Sequence, residues 1–124
     1  MSLSFLWIRT LGGYTRADQV IDVSVARLAS VSGRGPRSDT SGDYMVEISL
    51  PASGGDAEHG FSTDTRAVAR NLTHNEAVDV VDQLVTDLIE LPTSRPQVSV
   101  LAVIGGNVEH YDSPGEYRSQ NPDS

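Results

Sequence analysis

The segment that most constrains this chain begins at Thr73-His74-Asn75-Glu76, which has the spacing of a capping box. In that motif the Thr hydroxyl accepts from the backbone N–H of the Glu, and the Glu carboxylate accepts from the N–H of the Thr. Leu72 and Ala77 stand at the hydrophobic-staple positions around it. Beyond this start, Ala77, Val78, Val81, Leu84, Val85 and Leu88 recur at intervals of three and four. The spacing predicts one long amphipathic helix from about Leu72 to Leu91, with these residues on a stripe facing a sheet. Glu76, Asp79, Asp82, Asp87 and Glu90 take other positions and predict an acidic solvent face. Pro92 is expected to stop the helix, because its ring removes a backbone donor and crowds the preceding turn.

Strands are expected on both sides of this helix. Leu3 to Thr10 is apolar at alternating and intervening positions, as in a strand covered on both faces, and Leu11-Gly12-Gly13 offers a turn into a second strand at Tyr14. Val20 to Val31 changes the parity of its apolar positions, which predicts a bulge or strong twist. Ser32 to Gly42 is a polar, glycine-rich loop. Tyr44, Val46, Ile48 and Leu50 alternate cleanly with polar neighbours, the pattern of a half-buried antiparallel strand. Phe61 to Thr63 reads as a short edge strand. Gln97 to Ile104 is apolar on both faces, and Gly105-Gly106-Asn107 turns the chain into Val108 to Tyr111.

These elements predict an α+β fold: a mainly antiparallel sheet of five or six strands with one long amphipathic helix packed on one face. Residues 1–112 are expected to form a single globular domain and residues 113–124 a polar, flexible tail. The length of 124 residues falls in the usual range for one domain. Because one helix covers one face of a sheet, the doubly apolar strands imply a second cover. A homodimer formed by sheet stacking or edge pairing would supply it.

Charge and composition narrow the function. Nine basic residues against seventeen acidic ones give a net charge of −8, which opposes diffuse attraction to nucleic acid or an anionic membrane. All nine basic residues are Arg, a bias that follows GC-rich coding and suggests a bacterial or phage source. There is no Cys, which excludes disulfides, thiolate nucleophiles and Cys-based zinc sites. The apolar start from Met1 to Ile8 reaches Arg9 too soon for a signal peptide, and no apolar run has the length of a membrane span. A cytoplasmic location is expected.

Chemistry-bearing residues are sparse. His59, His74 and His110, with Asp56, Glu58, Glu109 and Asp112 nearby in sequence, lack the local spacing of a metal motif, so solvated loop and helix-start roles are expected. Asp18 and Asp22 are a carboxylate pair that acid–base chemistry could use, although pairing with Arg16 is the simpler role. No Gly-x-Ser-x-Gly or dinucleotide fingerprint is present, so no catalytic residue and no cofactor is assigned. The candidates for contact with a partner are Arg34 and Arg37, in a glycine-rich loop, and Asp79, Asp82 and Asp87 on the acidic helix face. The expected function is a non-enzymatic protein-interaction module acting as a homodimer or with another protein. The alternatives are an acidic inhibitor or nucleic-acid mimic of phage or mobile-element origin, and then a small hydrolase or ligand-binding enzyme.

Overall fold

A computed structural model describes residues 5–27, 42–51 and 63–122. Over these residues the chain forms seven strands and two helices. Strands β1 (Trp7–Thr10), β2 (Gly13–Arg16), β6 (Val100–Ile104) and β7 (Asn107–Tyr111) make a mixed sheet in the order β2-β1-β6-β7. Strands β3 (Asp22–Arg27), β4 (Tyr44–Pro51) and β5 (Thr63–Leu72) make a second, antiparallel sheet. The α+β class is as expected, but the single sheet of five or six strands is two sheets. The parallel pair β1 and β6, far apart in sequence, makes the first of them mixed.

Both expected hairpins form. Leu11 and Gly12 link β1 to β2, with Thr10 paired to Gly13. Gly105 and Gly106 link β6 to β7, with Ile104 paired to Asn107. The second turn puts both glycines at positive φ, 58° and 82°, the conformation a two-residue hairpin of this type needs. Of the short edge strand expected at Phe61 to Thr63, Phe61 and Ser62 lie outside the described residues; β5 begins at Thr63 and runs on to Leu72, where no strand was expected. Its register against β4 slips between Tyr44 and Val46 and again between Val46 and Glu47. The slips disturb the alternation that marks a strand in sequence.

Helix α1 (His74–Ser94) starts on the expected capping box, with Glu76 N–H donating to Thr73 Oγ1 at 3.1 Å and Thr73 N–H to Glu76 Oε1 at 2.9 Å. It does not stop at Pro92 but continues through it for two further residues. The last turn closes with Arg95 N–H donating to the Leu91 carbonyl at 2.9 Å and the Ser94 hydroxyl to Glu90 at 2.8 Å. The buried stripe is Ala77, Val80, Leu84, Asp87 and Leu91, rotated away from the expected one. Val78 and Val85, expected inside, are exposed.

One hydrophobic cluster joins the two sheets and α1. Ile8 and Leu101 come from the first sheet, Val46, Ile48 and Val68 from the second, and Ala77, Val80 and Leu84 from the helix. Fully burying a side chain such as Leu84 contributes roughly 1.5–3 kcal/mol.

The opposite face of the first sheet has its own cover. Pro114–Gln120, within the segment expected to be a polar tail, forms helix α2, capped by Ser113 accepting from Glu116 N–H at 3.1 Å. Its Tyr117 is buried against Val100, Ala102 and Tyr111. Tyr111 and Tyr117 meet edge to face at 5.3 Å, and Asn121 Nδ2 donates to the Tyr111 hydroxyl at 3.1 Å. Part of the sheet face expected to need a second cover is thus covered from within the chain, over Val100, Ala102 and Tyr111. Among the described residues, no helix is long and apolar enough to cross a membrane.

Candidate functional site

Helix α1 carries apolar residues on two adjacent stripes, and only one of them is used by the core. The outer stripe is Val78, Val85 and Ile89, seven and then four residues apart and therefore in line along the helix. All three are exposed, Ile89 to 71%. Val81 and Leu88 lie between this ridge and the core and pack partly against the latter. Helical geometry places Asp82, Asp79 and Glu90 on the other flank. No Lys or Arg occurs between His74 and Ser94. The ridge is thus bounded on one side by the core and on the other by carboxylates.

Between the ridge and the core, Leu88 and Pro92 of α1 line a hollow of about 220 Å³ together with Phe5, Leu6, Ala17 and Asp18. Phe5 is itself partly exposed, and the Arg16 guanidinium sits 3.9 Å above its ring. Arg16 also pairs with Asp18, as the sequence suggested.

Of the expected partner-contact residues, Asp79 and Asp82 are exposed on α1. Asp87 is not: it is 5% exposed and points into the protein. Its Oδ1 accepts from Gln83 Nε2 at 2.9 Å, and its Oδ2 lies 2.9 Å from His110 Nε2. The His110 Nδ1 faces Arg95 at 3.4 Å. A guanidinium only donates, so Nδ1 accepts there and Nε2 carries the proton given to Asp87. Both carboxylate oxygens are satisfied, which is the condition under which a buried charge is tolerated. The network ties the C-terminal half of α1 to β7. Arg34 and Arg37 lie outside the described residues, as does His59.

The Asp87–His110 pair resembles the base half of a hydrolytic triad, but a triad needs a hydroxyl or thiol at the second ring nitrogen. Here that nitrogen faces Arg95. His110 is thus a tie between elements rather than the solvated residue expected. His74 likewise packs edge to face on Tyr44 at 5.1 Å. Among the described residues, no three His, Asp or Glu side chains gather closely enough to hold a metal ion. The sequence signal missed for the ridge was the surplus of apolar residues on α1, more than one face of a helix can bury.

The chain matches no protein-family model, no curated protein and no solved structure.

Proposed function

We propose that this protein is a non-enzymatic interaction module that binds a basic, amphipathic surface of another protein along the outer face of α1. The observation that carries this reading is the exposed line Val78, Val85 and Ile89, flanked by carboxylates on a helix without a single Lys or Arg. Apolar contact along the ridge supplies affinity, and an anchor side chain entering the Phe5–Leu88 hollow supplies position. The carboxylates select basic partners and reject acidic ones. A second copy docked through the same ridge would bring carboxylates toward carboxylates, so a different, basic partner suits the surface better than a homodimer. A nucleic-acid mimic is less well supported, because the burial of Asp87 leaves a thinner track of charge.

The test uses two synthetic amphipathic helices with the same leucine ridge, one flanked by Arg and one by Glu. The basic peptide should bind, more weakly as salt rises, and the acidic one should not. Ile89→Asp should weaken the basic peptide by about ten-fold or more, the loss of one apolar anchor. Equal binding of both peptides, or no change in Ile89→Asp, would overturn the proposal. So would sedimentation showing a dimer that Ile89→Asp dissociates.

A further inference from the structure

A second surface has a different character. The two register slips in β5 leave additional residues in its Val68–Leu72 stretch, and Asn71 there adopts φ 59°. Left-handed backbone at a residue other than glycine is a departure that folds retain where the surroundings demand it, and bulges re-aim side chains at the same kind of place. This stretch lines a hollow of about 650 Å³, together with Leu11, Val103, Glu76 and the Gly105–Gly106 turn. The hollow lies off the carboxyl ends of the parallel strands β1 and β6, the end at which open α/β sheets receive ligands. A smaller hollow of about 300 Å³ shares Leu11, Val68 and Val103 with it and is lined by Arg9 and Tyr117.

The arginines separate into two groups. Arg16 and Arg66 each pair with a carboxylate two residues away, Asp18 and Asp64. The other described arginines, Arg9, Arg27, Arg70, Arg95 and Arg118, pair with no carboxylate among the described residues, and of these Arg9 and Arg70 line the two adjoining hollows. Arg9 is held over the rings of Tyr14 and Tyr117, at 5.1 and 5.8 Å. Arg70 is exposed beside the apolar wall of Leu11, Val68 and Val103. In a chain of net charge −8, two arginines thus stand against apolar surface, and the Glu76 carboxylate, the one acidic group in the lining, is engaged by the backbone N–H of Thr73.

We infer that the larger hollow binds a small amphiphilic anion, with its carboxylate or phosphate on Arg70 and its apolar body against Leu11, Val68 and Val103. Volume and lining both suit such a ligand, since small-molecule sites combine an apolar wall with a few placed polar groups. Arg70 supplies a fork of donors to the anion, and Arg9 adds positive potential from the adjoining hollow. The net charge makes unspecific anion binding unfavourable, so any binding reports a local site.

The probe is 8-anilinonaphthalene-1-sulfonate, an apolar fluorescent anion, displaced in turn by octanoate, octyl phosphate and octanol. Saturable binding of one probe per chain is expected, displaced by the two anions and not by octanol, and the stronger anion identifies the headgroup. Arg70→Gln should weaken the probe by about ten-fold, the effect of losing one charge-assisted fork. Leu11→Asp should weaken it too, while Arg16→Gln should leave it unchanged. Absence of saturable binding, equal displacement by octanol, or full binding in either Arg70→Gln or Leu11→Asp would overturn the inference. Because Ile89 lies on neither hollow, Ile89→Asp should retain probe binding, which separates this site from the α1 ridge.

Discussion

Two residues apart on α1, Asp87 is buried and Ile89 is exposed, the reverse of what their side chains prefer in isolation. The contrast shows that the phase of a helix is set by the sum of its contacts. The inner face carries Ala77, Val80, Leu84 and Leu91 into a core shared with both sheets, and that gain fixes the rotation. Asp87 shares the inner face and is accommodated by Gln83 and His110. Ile89 is carried outward by the same rotation, so its exposure serves no purpose in the fold. Inner positions therefore maintain structure, and outer positions have no part in the core, as the proposed partner-binding role requires.

Breaking the inner face should have the largest effect. Leu84→Ala removes a fully buried side chain and should cost about 2–5 kcal/mol in urea unfolding, since the helix and two sheets collapse only partly into the space. A smaller cost would mean that the core closes around the loss and that the faces differ less than described. Next comes Asp87→Ala, which takes the partner from the half-buried His110 ring and should cost about 1–3 kcal/mol. In a double-mutant cycle with His110→Ala the two changes should be non-additive, because the second removes a partner already lost. Additive costs would separate the two residues and dissolve the tie between α1 and β7. The smallest effect belongs to the outer face. Ile89→Asp should shift stability by no more than about 0.5 kcal/mol, as expected of a surface change away from special features. A larger loss would place Ile89 in the fold after all.

Much of this arrangement is written locally in the chain. The capping box at Thr73 and Glu76, the turns at Gly105 and Gly106, and the alternation from Tyr44 to Leu50 each act through neighbours in sequence, and each forms as read. Strand β5 was harder to read because its bulges interrupt the period of two. Helix α2 shows the limit of local signals: Ser113 and Glu116 repeat the Ser/Thr-x-x-Glu spacing of α1, but no apolar stripe follows. A single buried aromatic, Tyr117, holds it against the sheet, and that contact is non-local. The phase of α1 was ambiguous for the opposite reason. Two apolar stripes competed, and the choice between them rested on non-local burial against both sheets, with Asp87 then accommodated by His110 on β7, twenty-three positions away in sequence. The site at Arg70 was likewise invisible, because Leu11, Val68 and Val103 come together only in the fold.

The separation of the two faces of α1 is tested most directly by following backbone amide resonances while the Arg-flanked amphipathic peptide is titrated into the protein. The account predicts shifts concentrated at Val78, Asp82, Val85 and Ile89 and around Phe5 and Leu88, with little change at Ile8, Val46 or Leu101. Shifts centred on the core residues, on α2 or on the β5 hollow, or none at saturating peptide, would contradict it.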